Sequence, residues 1–359
     1  MRVETIREWF CHGRWANDRI LTAAKELPDE ALDRKFDMGP GSLRETLRHI
    51  YGADRIWFER VGGTNAAAMP HARDLSTISQ LIDASQKLDD ARSIWLAGIS
   101  DEAVRQPINY KSMKGDPYTN KLCDILLHVC THGIHHRAQV MAMLRQIGKP
   151  LINLDYIFMR IERPTLRLAD QRTIDALTTK GRIVGTTLSD PALLCAGTLR
   201  YLLAFSDWAS EQIFAIAAAL DDAALDKEFE FGCGSLRKTL HHIVAAESGW
   251  LANWRDGARI VIAPPRPGRP VSDIKAEFDR TTQERRAYLE GLDDASLHRE
   301  ITADGAEGIR LYLRLGEVIL QVAGHGMHHR AQALNMLRRV GAMTPALDMI
   351  GWARQRGSA

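Results

Sequence analysis

Apolar residues recur every three or four positions through most of this chain, the spacing of one face of an α-helix. From 122 onward, Leu122, Ile125, Val129, Val140 and Met143 mark such a face. His132 and His136 fall on the same seam, where a packed bundle takes leucine or isoleucine. From 315 onward, Leu315, Val318, Val322, Ala333 and Met336 repeat the pattern, and His325 and His329 interrupt it. Residues four apart lie one turn apart on one helix face, so each pair aims two imidazoles into an interior. Two polar rings side by side in an apolar seam are costly unless something satisfies them. A divalent metal does so, and histidine is its commonest protein ligand.

The two segments read His-Gly-Ile-His-His-Arg-Ala-Gln (132–139) and His-Gly-Met-His-His-Arg-Ala-Gln (325–332), 193 residues apart. The same offset joins Gly41-Ser42-Leu43-Arg44 to Gly234-Ser235-Leu236-Arg237, His49-Ile50 to His242-Ile243, Trp15-Ala16 to Trp208-Ala209, and Leu154-Asp155 to Leu347-Asp348. A fixed offset over this length is the mark of an internal repeat, and the chain reads as a tandem duplication. The stretches 61–80 and 254–276 have drifted; the second is proline-rich and reads as a loop.

Each copy predicts four helices and a tail. The first helix runs from about Thr5 to Leu27, with Ile6, Phe10, Ile20 and Ala24 inward. The second opens at Ser42, where Ser42 and Glu45 form a capping-box pattern; the other copy keeps Ser235 but has Lys238 at the box position. The third runs from about Ile78 to Leu96, and its twin from about Ile274 to Leu289. The fourth carries the paired histidines and stops at Gly148 or Gly341. No sheet is evident, although a short hairpin fits before the fourth helix. The expected fold class is all-α: two tandem four-helix bundles, residues 1–157 and 194–359, with the site in each core. Residues 158–193 read as a linker, with a short helix around 170–177. The repeat further suggests that the bundles pair within the chain as a pseudo-dimer, leaving the protein a monomer.

Composition narrows the function. With 359 residues, 45% hydrophobic and 26% charged, the chain has the make-up of a two-domain globular protein. A net charge of +2, without a basic block, argues against nucleic acid as a partner. No apolar run approaches the roughly 20 residues of a membrane span, and the N-terminus lacks a signal-peptide core. The five cysteines form no Cys-x-x-Cys pattern and fit a reducing cytoplasm.

A metal needs a third ligand, and His49 and His242 supply it. Each follows its N-cap serine by seven residues, two turns into the second helix. Three imidazoles with one open position make a catalytic rather than a structural zinc-type site. The metal set is therefore His49, His132 and His136 in one half, and His242, His325 and His329 in the other. Asp54 and Glu247, five residues after the helix-two histidines, are the candidate general bases, with a helix-surface acid as the rival reading. Arg137 and Arg330 are candidate substrate anchors, and an interhelical bond is the rival reading. Gln139 and Gln332 could orient a ligand's second nitrogen, while Arg44 and Arg237 admit either role. His135 and His328 lie about 100° of helix rotation from the neighbouring ligand and are expected to face water. His12, His71, His128, His241 and His298 lack a histidine twin and read as packing or solvated residues. Asp155 and Asp348 read as helix caps. Cys11, Cys123, Cys130 and Cys233 stand opposite Ala204, Gly316, Ala323 and Pro40 across the repeat, so neither half is expected to need a thiolate.

Trp15-Ala16-Asn17, Ser42-Leu43 leading to His49, and His132 to Gln139 together resemble the DinB family of bacterial stress-associated proteins, the DinB/YfiT-like metalloenzymes. The family pattern ends His-Arg-Gly-Gln, so Ala138 and Ala331 depart from it, as does Ser210 where the first half has Asn17. The resemblance covers both halves and excludes the linker. It implies bundles of up-down-down-up order, a zinc, nickel or iron ion on each histidine triad, and frequent dimers. It also implies thiol-dependent transferase or isomerase chemistry on a small electrophilic substrate, with a low-molecular-weight thiol as cosubstrate. The alternative is a non-catalytic metal-binding stress-response module.

Overall fold

The protein is described from a computed structural model, over residues 1–64, 75–162, 194–304 and 310–357. The expected 170–177 helix and His71 lie outside the described residues. The elements in chain order are α1 Val3–Lys25, α2 Asp29–Asp33, α3 Leu43–Val61, α4 Ile78–Ala97, β1 Pro107–Lys111, β2 Pro117–Lys121, α5 Leu122–Gln146 and α6 Tyr156–Glu162. They continue with α7 Ala196–Ala217, α8 Asp222–Asp226, α9 Leu236–Asp256, α10 Val271–Glu290, β3 Glu300–Asp304, β4 Arg310–Arg314, α11 Leu315–Arg339 and α12 Met349–Gln355. The chain is thus mainly helical, as its periodicity predicts, and two compact units emerge: Met1–Ile152 with Met343–Ala359, and Asn153–Ala342. Each unit takes its last short helix from the other half of the sequence, so the unit boundaries fall at 152/153 and 342/343.

In the first unit, α1, α3, α4 and α5 form the bundle. Ile6, Ile20, Leu43, Leu81 and Ile125 are fully buried along their facing stripes. Ser42 caps α3 by accepting from the Glu45 backbone N–H at 3.2 Å. The Glu45 carboxylate instead takes a 2.6 Å bond from Arg48, so the charged partner three residues on wins over the reciprocal half of the box. The short helix α2 was not evident from periodicity, because five residues do not complete two turns. Arg44 fastens it to α3, donating to Asp33 at 2.7 Å and also to Asp29. Helix α5 ends at Gly148 with φ 78°, where Lys149 N–H closes back on Leu144 O at 3.0 Å, a glycine-dependent stop. Before α5 the hairpin is realised as β1 and β2, antiparallel with Tyr110 opposite Tyr118. Its inner face packs with Ile125 and with Ile350 of α12. Arg354 of α12 donates to the Tyr110 hydroxyl at 2.7 Å and lies over the Tyr118 ring at 3.9 Å.

The second unit is built from α7, α9, α10 and α11, with Leu202, Leu236, Ile274 and Leu315 fully buried. Ser235 caps α9 through Lys238 N–H at 3.3 Å, and Gly341 ends the α11 region at φ 82°. Arg237 repeats the clamp on the short helix α8, donating to Asp226 at 2.7 Å and to Asp222. Arg44 also donates to Ser76 O at 2.9 Å and Arg237 to Arg269 O at 2.7 Å, so both guanidinium groups act as interhelical ties. Helix α6 packs on α11, with Ile157 N–H on Gln321 Oε1 at 3.1 Å and a buried Arg160–Glu317 pair at 2.7 Å. Residues 156–162, which straddle the expected start of the linker, are thus a packed helix rather than a spacer.

Candidate metal centres

Helix α5 presents His132 and His136 on one face, and α3 presents His49 across from them. Their ligand atoms lie within 4.8 Å of one another, all on half-buried side chains. His49 Nε2 is 3.2 Å from His132 Nε2. The ring centroids of His49 and His136, and of His132 and His136, are each 4.4 Å apart. Three imidazole nitrogens this close, with no acid between them, repel one another if protonated. Burial accordingly lowers the pKa of His49 and, with its histidine neighbours adding to the effect, pushes that of His132 well down. Both shifts favour the neutral ring, the form that binds a metal.

Gln139 sets the ring orientation. His136 Nδ1 donates to Gln139 Oε1 at 2.8 Å, which puts the ring's lone pair on Nε2. The Gln139 amide then donates to His135 Nε2 at 3.2 Å. The second unit repeats the chain: His329 Nδ1 to Gln332 Oε1 at 2.8 Å, and Gln332 Nε2 to His328 Nε2 at 2.9 Å. His135 and His328 thus belong to a hydrogen-bond chain behind a candidate ligand, instead of merely facing water. The same glutamines fill the space where a Cβ would stand at Gly39 and Gly232, both in left-handed conformation at φ 53° and 60°. A side chain at either glycine would displace the group that aims the imidazole.

In the second unit His242 Nε2 is 3.3 Å from His325 Nε2. The His329 ring lies 4.5 Å from that of His242 and 4.4 Å from that of His325. Burial lowers His242 and His325 to about 4 and takes His329 well below its usual range. One residue here escaped the sequence reading. Cys233 joins His242 and His329 in a group whose ligand atoms lie within 4.8 Å of one another. Comparison across the repeat pointed away from it, because Pro40 stands at its counterpart.

The two candidate bases sit beside the triads but inside ion pairs. Asp54 Oδ2 takes a 3.1 Å bond from Arg92, which also pairs with Asp89. Glu247 pairs with Arg285, which also holds Asp207. Burial raises the Asp54 pKa, opposed by Arg92. The candidate substrate anchors are buried as well. Arg137 Nη1 donates to Asn17 Oδ1 at 3.1 Å, and Arg330 Nη1 to Ser210 Oγ at 3.3 Å. Ser210 therefore keeps the acceptor that Asn17 provides. Both guanidinium groups lie across the preceding turn, where a Cβ at Gly133 or Gly326 would come within 2.8 Å of Nη1. Burial lowers both arginines to about 10. A pocket lined by Asn17, Leu47, Ile50, Tyr51 and Leu88 reaches Asp54 from the α1, α3 and α4 side.

The remaining residues fall into packing roles. His128 is buried edge-on to Trp57 at 5.1 Å, and burial lowers it to about 4, opposed by Asp348. Its counterpart Gln321 bonds Asp155, so both positions face a tail aspartate. Asp348 caps α12 through Gly351 N–H at 2.6 Å. The Asp155 backbone oxygen takes the Phe158 N–H while its side chain reaches Gln321. His12 stacks on Trp15, and His241 bonds Ala263 O at 3.0 Å.

Helical bundles that each gather a group of side chains able to hold a metal ion, His49, His132 and His136 in one and Cys233, His242 and His329 in the other, define a class of four-helix proteins with candidate metal centres. Within it, the chain belongs to the DinB family, whose model matches residues 1–166 and again 195–356. It is also similar to Protein DinB of Bacillus subtilis (strain 168), with 26% identity over 149 residues that cover 40% of this chain and 86% of that protein. Among the described residues no helix is long and apolar enough to cross a membrane.

Proposed function

We propose that each half holds one divalent ion, zinc, nickel or iron, on His49, His132 and His136 and on His242, His325 and His329. We further propose that the protein is a metal-dependent transferase or isomerase joining a low-molecular-weight thiol to a small electrophile, in a cytoplasmic stress response. The observation that carries this reading is the first triad: three half-buried imidazoles with their ligand atoms within 4.8 Å, two of them pushed toward the neutral form by burial and the third aimed by Gln139. His49 on α3 and His132 and His136 on α5 would hold such an ion through three imidazole nitrogens. When bound, such an ion supplies Lewis acidity that lowers the pKa of a thiol or water placed there.

The protein's own residues do the rest. Gln139 fixes His136 by accepting a hydrogen bond from its Nδ1–H, and Arg137 ties α5 to α1 through Asn17. Asp54 and Glu247, clamped by Arg92 and Arg285, favour a field-setting role beside the histidines over proton transfer. Residues 1–157 and 194–359 would be the products of one tandem duplication, joined by 158–193.

The clamped acids and buried arginines also favour a second reading, a metal-binding module without catalysis. A thiol-consumption assay over a panel of electrophiles separates the two. The enzyme reading expects turnover by metal-loaded protein that His136→Ala abolishes. Equal thiol loss with loaded and chelated protein across the panel would sink it.

A further inference from the structure

Cys233 occupies the turn just before the N-cap of α9. That turn is rigid. Gly232 and Gly234 flank it at φ 60° and 91°, Phe229 N–H bonds Gly234 O at 2.8 Å, and Gly234 N–H bonds Phe231 O at 3.2 Å. The first unit builds the same turn, with Gly39 and Gly41 at φ 53° and 96° and Phe36 N–H on Gly41 O at 2.9 Å. The backbone is therefore shared and only the side chain between the glycines differs: a proline ring without a donor in one, a thiol in the other.

The turn is also pinned to the ligand-bearing helix. A Cβ at Gly232 would lie 3.0 Å from Gln332 Oε1 and 2.9 Å from Met336 Cε. Gln332 is the residue that accepts a hydrogen bond from the Nδ1–H of His329. The support that aims the His329 ring thus packs against the backbone that carries Cys233, and the thiol sulfur lies within 4.8 Å of the ligand atoms of both His242 and His329. His325 Nε2 stands 3.3 Å from His242 Nε2. Two imidazoles and a sulfur from three separate elements thus lie within 4.8 Å of one another, with His325 adjoining His242.

We propose that Cys233 is the fourth protein ligand of the second centre, so that the second unit holds a closed three-histidine, one-cysteine site while the first keeps an open three-histidine site. The proposal rests on the reading that divalent metal occupies the triads. Binding releases the thiol proton to solvent, and the thiolate adds one negative charge to a neutral donor set. It also adds a soft donor, which favours zinc over harder ions. A closed site with thiolate and imidazole ligands is the build of structural zinc. Substrate chemistry then belongs to the first unit, and the second ion holds α9, α11 and the turn together.

Cobalt(II) loading of the full chain tests this, because a cysteine thiolate on cobalt gives an intense near-ultraviolet charge-transfer band that imidazole alone does not. Wild type should show the band. His136→Ala should retain it, and Cys233→Ala should lose it while two cobalt ions per chain remain measurable by mass spectrometry. The reverse change, Pro40→Cys, should add a second band from the first unit, a gain that misfolding cannot mimic. Two bound ions with no band in wild type, or a band that survives Cys233→Ala, would overturn the cysteine ligand and leave the triads standing. Failure of wild type to bind cobalt in the second unit would overturn the triad reading and the proposal with it.

Discussion

The two halves bury the same kind of charge cluster with different residues. In the first, Arg92 of α4 pairs with Asp54 of α3 and with Asp89 one turn back on its own helix. In the second, Arg285 of α10 pairs with Glu247 of α9 and with Asp207 of α7. Arg14 stands where Asp207 would be in the first half, and Thr282 stands where Asp89 would be in the second. The second acid has thus moved from one helix to another, yet each buried guanidinium still faces two carboxylates. A low-dielectric interior tolerates a relocated charge but not a missing one. The Pro40–Cys233 difference is of another kind. It removes or adds a metal-ligand donor without changing the turn, so it alters what the site can hold while leaving the fold alone.

The largest expected effect comes from breaking the clusters. Arg285→Ala strips Glu247 of its buried partner and leaves Asp207 only the exposed Arg286, and it should cost about 3–5 kcal/mol in urea denaturation. Arg92→Ala should cost less, because Asp89 and Asp54 keep 7% and 11% side-chain exposure against 2% and 3% for Asp207 and Glu247. An equal loss in the two variants would contradict the relocation argument.

Acidification comes next. His128, His242 and His325 are lowered to about 4 from 6.5 by burial. The unfolded chain therefore takes up protons first as pH falls. Stability contributed by these groups is complete above about 6.5, declines as pH drops toward about 4, and loses nothing more below that. Metal-free protein denatured across this range should show the decline. His128→Gln, which gives the first unit the Gln321 of the second, should flatten part of it. A decline unchanged in that variant would remove His128 from the account.

The smallest effect concerns the arginine that crosses the ligand helix. Gly133→Ala and Gly326→Ala each push a Cβ against a buried guanidinium and should cost about 1–3 kcal/mol by overpacking. Asn17 gives Arg137 a 3.1 Å bond and Ser210 gives Arg330 one of 3.3 Å, so the two losses should agree within the scatter of a thermal melt. A silent substitution in either half would show that the arginine is free to move aside.

The fold was legible because helical periodicity and N-cap serines are local signals. Ser42, Ser235, Gly148 and Gly341 mark their boundaries within a residue or two. The triads were legible because His132 and His136 break an apolar seam and the repeat offers a matched partner for each. The role of Gln139 and His135 was only half visible, since it depends on rotamers that bring two turns of one helix together. Cys233 was hidden by the repeat itself: matching positions favours features that both halves share and discards those that one half adds. The exchange of the tail helices α6 and α12 leaves no trace in periodicity, because a seven-residue amphipathic segment fits either unit equally well.

Metal stoichiometry tests the central claim most directly, that each half carries its own centre. Mass spectrometry of native protein loaded with zinc at neutral pH should find two ions per chain, with one remaining in His136→Ala, one in the His242→Ala/His329→Ala variant, whose second centre keeps only His325 and Cys233, and none when all three changes are combined. Occupancy should fall as pH drops through the histidine range, because the ligands must be deprotonated. A single ion per chain, lost equally from either variant, would mean one shared centre and contradict the account.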